Sequence, residues 1–246
     1  MKLKTYWLSI VLVISLIIPV TAMAAQPVTP AGNSSDLEKQ VLIHYKNGSV
    51  KPVGGNDKRG TQNYSLLGKG VKWKKQSVDY VINPINTNNL SEEFVANAVY
   101  NAMQEWDDHT NSTLFGNQII DYNANWNNSA PDYKNEISFG DYSDPNVIAI
   151  TIIWGRFGGP VENREITEYD ILFNTKYVWG DGISNSNVMD LQNIATHEIG
   201  HGIGLGDLYT VAGSEETMYG YSTYGETKKR DLNTGDLQGL HALYGN

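Results

Sequence analysis

The segment His197-Glu198-Ile199-Gly200-His201 places two imidazoles and a carboxylate within five residues. On a helix, residues four apart lie on one face, one turn apart, so His197 and His201 can aim at a single ion. Glu198 sits beside His197 and can reach that ion's open position without binding it. Two histidines, one further ligand and a water make a catalytic zinc site. Zinc brings the pKa of its water to about 7, the neighbouring carboxylate takes the proton as general base, and the hydroxide attacks a polarised carbonyl. With five histidines in 246 residues, chance supplies roughly 0.005 such patterns. The bland readings, buried core histidines or polar caps on an amphipathic helix, leave both the spacing and the glycines that follow unexplained.

Those glycines have a mechanical use. Gly202, Gly204 and Gly206 are poor interior helix residues. Gly204 is expected to take a positive φ and end the helix, so that the chain doubles back and delivers Asp207 to the ion. Without that break Asp207 would be out of reach. An aspartate beside two histidines is a sound zinc set. The alternative is a more distant third ligand, with Glu215, Glu216 and Glu226 as candidates. Cysteine ligands and nucleophiles are excluded, because the chain has no cysteine. His109 and His241 read as surface or packing residues.

His-Glu-x-x-His-x-x-Gly-x-x-Asp, followed by Met218 in Thr217-Met218-Tyr219-Gly220-Tyr221, resembles the metzincin metalloproteases, and within them the matrixins. Trp73, Trp106, Asp170 to Phe173 and the closing run Leu232 to Gly245 suit the same family. The resemblance covers roughly residues 69–246. It implies an α+β fold, a metzincin-like zinc protease domain with a twisted, mixed five-stranded sheet and three helices. It also implies a peptide bound antiparallel to an edge strand near Val147 to Trp154. Met218 would lie beneath the ligands as a floor, and Tyr221 or Tyr224 would wall the pocket for the residue just after the scissile bond. Two departures stand out. Gly220 replaces the family's usual proline. Asp207 replaces its usual third histidine, as in metzincins of the snapalysin type.

Elements able to position these residues can be read locally. Val78, Tyr80 and Ile82 alternate as a strand. Ser91-Glu92-Glu93 opens a helix whose apolar face runs from Phe94 to Trp106. Strand patterns follow at residues 118–122, 136–139, 147–154 and 169–174. The active helix is predicted over about residues 188–203, with Asn187 as its cap and Asp190 in its first turn. A third helix starts near Thr234.

The preceding chain divides in two. Lys2 and Lys4, an apolar run from Trp7 to Val20 and Ala22-Met23-Ala24 have the order of a signal peptide over residues 1–24. The run is shorter than the ~20 residues of a membrane span, although an uncleaved segment would tether the protein. Residues 25–68 read as a loose N-terminal extension or propeptide, with one short strand at Val41-Leu42-Ile43. The catalytic domain is expected over residues 69–246. If the extension imposes latency, His44 or Asp57 can supply a temporary ligand.

Composition narrows the partners. A net charge of −9 lacks the basic footprint that phosphate binding needs, so nucleic acid is not expected. The expected partner is a peptide or protein substrate in an extracellular setting, with no stable membrane partner; nothing in the sequence assigns an oligomeric state. Calcium is a second candidate ion, because Asp141, Asp144, Asp181 and Gly182 suit either calcium loops or ordinary exposed turns. Two rival functions remain open: hydrolysis of a non-peptide amide, and a non-catalytic surface protein holding structural zinc.

Overall fold

The structure, a computed structural model, describes residues 37–49, 63–127 and 129–246. These belong to one compact unit, Asn33–Asn246. The signal-peptide pattern and Asp57 lie outside the described residues. The main sheet uses β1 (Glu38–Lys46), β2 (Val78–Ile82), β3 (Phe115–Ile120), β4 (Glu136–Gly140), β5 (Val147–Arg156), β6 (Glu165–Asn174) and β7 (Tyr221–Ser222). Their spatial order is β7-β1-β5-β6-β4-β2-β3. Strands β2, β3, β4 and β6 run parallel to one another, and β5 is antiparallel to β6.

Five of these strands are the expected α+β sheet, but the sheet has seven. The addition is on the side expected to be free. β1 pairs antiparallel with β5 from Glu38↔Gly155 to Tyr45↔Val147, and β7 adds in parallel at Tyr45↔Tyr221. The N-terminal extension is therefore not uniformly loose. Its three-residue strand signal is the centre of a nine-residue strand, which becomes regular because β5 offers it an unpaired row of backbone groups.

β5 reads Val-Ile-Ala-Ile-Thr-Ile-Ile-Trp-Gly-Arg and is buried along almost its whole length. The continuous apolar run follows from burial of both faces. Ile150, Ile152 and Trp154 pack with Leu172 and Tyr45 in one cluster. Ile153 joins the main core between sheet and helices, and Thr151 points to that side, reaching Glu198.

The described residues hold three α-helices: α1 (Glu92–Asp107), α2 (Leu191–Gly202) and α3 (Thr234–Tyr244). Ser91 caps α1 through an Oγ that accepts from Phe94 N at 3.1 Å. The cap of α2 is Asp190, not Asn187. Its Oδ1 accepts from Asn193 N at 2.8 Å, while Met189–Asp190 pairs with Trp179–Gly180 as a short bridge. That pairing keeps residues 188–190 extended, so the helix starts three residues later than its apolar pattern suggests. Trp106 of α1 donates its indole N–H to Thr196 O of α2 at 2.8 Å. Trp73 does the same to Gly202 O, also at 2.8 Å, and so pins the last turn of α2.

Gly204 has φ +112°, and a Cβ there would lie 2.6 Å from Val71 O and 3.0 Å from Leu243. Gly204→Ala is expected to destabilise the fold by about 2–4 kcal/mol, read from denaturant midpoints. A second prediction concerns Glu168, which is fully buried with an Oε1 lacking any partner. Burial, with Asp170 and Asp132 nearby, pushes its pKa up to about 8. The folded state therefore holds a proton that the unfolded state releases from about pH 4.5 upward. The associated stability is full below that range and is lost as pH rises through about 8. Glu168→Gln should flatten the fall in stability between pH 5 and 9 and be the more stable protein at pH 9.

Candidate metal and catalytic site

His197 and His201 are fully buried on the inner face of α2. Each imidazole has its Nδ1 tied to the backbone: His197 to Thr217 O at 2.7 Å, His201 to Leu205 O at 2.9 Å. A carbonyl only accepts, so both Nδ1 atoms carry the proton and both Nε2 atoms present lone pairs. Those lone pairs meet Asp207, whose Oδ1 is 3.2 Å from His197 Nε2 and 3.4 Å from His201 Nε2. None of the three atoms has a hydrogen-bond partner. Three buried acceptors facing one another with no donor between them fit a cation. Two nitrogens and one carboxylate oxygen, with the nitrogens oriented by their second hydrogen bonds, are a donor set suited to zinc.

Burial pushes His197 down to about 4, against the pull of Asp207. Burial also works against ionising Asp207, and positive charge on the His201 and His197 imidazoles would be what holds its carboxyl below the usual carboxylate range. Its second oxygen accepts from the Tyr209 hydroxyl at 3.0 Å.

Against the helix that carries the two candidate histidine ligands lies Met218, 1% exposed. A Cβ at Gly200 would collide with the Met218 sulfur and lie 2.8 Å from the Trp106 ring. Gly200 is thus the notch that lets the methionine approach the helix. Asp236 of α3 holds the Met218 turn from the other side, accepting from Thr217 N at 2.7 Å and Met218 N at 3.0 Å.

Glu198 is also fully buried. Burial pushes it up to about 7, against opposing effects from His201 and the Thr151 hydroxyl. Its Oε2 accepts from Thr151 Oγ1 at 2.5 Å, and its Oε1 is 3.1 Å from His44 Nδ1. His44 comes from β1, and its ring centroid lies 3.9 Å from that of His197, with the two rings tilted by 45°. Its Nε2 lies 3.1 Å from the Nζ of Lys229, a fully buried cation. An ammonium only donates, so Nε2 accepts and Nδ1 carries the proton to Glu198. Lys229 also donates to Tyr219 O, and to Tyr221 O at 2.8 Å.

His44 thus enters the site, but both its nitrogens are engaged away from the three convergent acceptors. The alternative third ligands go elsewhere too. Glu216 accepts from the N-terminus of α3, Glu215 pairs with Lys228, and Glu226 accepts from Ser222. His109 and His241 make surface contacts with Glu105 O and His109 O. The aspartates weighed for calcium act in turns and ion pairs: Asp141 with Lys176, Asp144 with Asn146 N, Asp181 with Ile183 N and Arg230. Tyr221 borders the site through its carbonyl, while Tyr224 packs on Tyr177. Sequence reasoning missed Thr151, Gly200, Tyr209 and Lys229. Only Gly200 carried a local signal, as one more glycine inside a helix.

The sequence model of the Matrixin family matches residues 72–245. No curated protein matches the chain.

One zinc per chain is expected by metal analysis. Asp207→Ala should weaken its binding by at least about 100-fold, while Glu198→Gln should leave the metal in place. Equal zinc retention in the Asp207 variant would remove that residue from the ligand set.

Proposed function

Because the chain belongs to the matrixin family of zinc metalloproteases, we propose that it is an exported zinc-dependent endopeptidase whose groove is covered by its own N-terminal segment. The observation that carries the reading is the meeting of His197 Nε2, His201 Nε2 and Asp207 Oδ1 as buried, unpaired acceptors beside the Glu198 carboxylate. These three atoms would hold zinc, which when bound polarises a carbonyl and acidifies a neighbouring water. Glu198 takes the proton from that water and later delivers it to the leaving amine. Its raised pKa suits a group that must both accept and return a proton near neutrality. Thr151 aims the carboxylate. The β5 edge supports a peptide rather than another amide as substrate, because an extended chain can add to it through backbone hydrogen bonds. A structural zinc would have no use for a buried carboxylate beside its ligands, which weighs against the non-catalytic rival.

Export is supported by the basic start, the apolar run and Ala22-Met23-Ala24. No helix among the described residues is long and apolar enough to cross a membrane.

Latency is part of the proposal. β1 occupies the edge a substrate needs, and His44 occupies the Glu198 oxygen that would accept the proton of the water. A strand tethered on the same chain competes at an effective concentration of about millimolar or more. Cutting between Ser49 and Asn63 and then diluting should raise hydrolysis of a fluorogenic peptide by at least about tenfold. Unchanged activity after complete cutting and release of β1 would dispose of latency. In the activated protein, Glu198→Ala should cost about 100-fold or more in turnover with zinc still bound. A chelator should abolish hydrolysis. Wild-type rates in the Glu198 variant would end the mechanism.

A further inference from the structure

β1 shows how an extended chain lies in this groove. It runs antiparallel along β5 over its whole length, with His44 opposite Ala149. Backbone pairing of this kind gives affinity, while pockets for alternate side chains give specificity. His44 is the side chain that descends beside His197, and it is completely buried. Its far nitrogen ends on Lys229.

Lys229 is fixed in place. Its backbone N–H donates to Asn193 Oδ1 at 2.7 Å. Its ammonium has three donors. Tyr219 O and Tyr221 O take two of them, and His44 Nε2 takes the third at 3.1 Å. The nearest carboxylate oxygen, Glu226 Oε1, stands off at 3.8 Å and is held by the Ser222 hydroxyl at 2.8 Å and the Asn193 amide at 3.4 Å. When β1 leaves, one N–H of a buried cation has lost its acceptor.

We infer that Lys229 selects the substrate residue that takes the place of His44, favouring side chains that end in a hydrogen-bond acceptor. Glutamine, glutamate and histidine can meet the free N–H. Leucine or phenylalanine fills the space but buries a charged donor without a partner, which is costly. Lysine or arginine adds a like charge. Acceptor side chains beside the cleaved bond should be preferred over leucine by about 10–100-fold in kcat/KM. The inference rests on the peptidase reading, so the test has one arm that needs no catalysis.

In the full zinc-loaded chain β1 is itself the ligand of this pocket. Hydrogen exchange at the β1 amides reports how often the strand opens in His44→Gln and His44→Leu variants. With Lys229 present, His44→Leu should open at least about tenfold more than His44→Gln. With Lys229→Met, which removes the donors but keeps the stem, the order should invert. If Lys229→Met does not fold, the order within the wild-type pocket still decides. Leucine holding β1 as well as glutamine would overturn the inference. The second arm profiles a peptide library with the cut, activated enzyme. Enrichment of glutamine or glutamate next to the cut bond, lost in Lys229→Met, supports the substrate assignment. Hydrolysis with an apolar preference in the wild-type pocket overturns it and leaves the peptidase reading standing. No hydrolysis of any peptide, with the exchange order as expected, overturns the peptidase reading and the substrate assignment with it.

Discussion

Three lone pairs pointed at one another inside a protein cannot be left alone. His197 Nε2, His201 Nε2 and Asp207 Oδ1 are buried and have no donor, and both nitrogens lie within 3.4 Å of the carboxylate oxygen. Repulsion among them is relieved only by a positive charge at their meeting point. Much of the fold makes sense as the means of holding that arrangement. The last turn of α2 is pinned by Trp73, Gly204 reverses the chain, and Leu205 and Thr217 carbonyls set both imidazole tautomers. Asp236 secures the Met218 turn from α3, a helix that itself begins by accepting at that same carboxylate from Asn233 N. A single buried carboxylate thus ties a helix start to the floor of the site.

Beside this centre runs a second set of buried charges. Glu198, His44 and Lys229 form a line in which a neutral imidazole bridges an anion and a cation. Each polar atom in that line has a partner, so the covered state is electrostatically complete. Removing β1 exposes an acceptor on Glu198 and a donor on Lys229 together. A water and a substrate side chain are natural replacements, since each restores one half of what His44 supplied. The groove is therefore complete when covered and leaves two buried polar groups without partners when open, which is the basis of the proposed latency.

The pairing of β1 with β5 carries the same logic into the backbone. β5 is buried on both faces, and its outer edge offers a row of backbone groups to a partner strand. β1 takes that edge in the present structure, and the proposed peptide substrate would need the same row of amides and carbonyls.

The amino-acid order alone determined whatever depends on neighbours in sequence. The four-residue spacing of His197 and His201, the break at Gly204, the cap at Ser91 and the two-residue alternation of Val78, Tyr80 and Ile82 are local patterns with local physical causes. So is the family pattern that spans the site and Met218. Tertiary structure decided what depends on residues far apart in the chain. His44 meets Glu198 across 154 positions and Lys229 across 185, and Thr151 meets Glu198 across 47. No periodicity links such residues, because a strand's neighbours are set by sheet order rather than by sequence distance. Lys229 is the sharpest case. In sequence it is one of two adjacent lysines in a polar stretch, and only the packing around it turns a solvated charge into a buried donor whose third bond goes to His44.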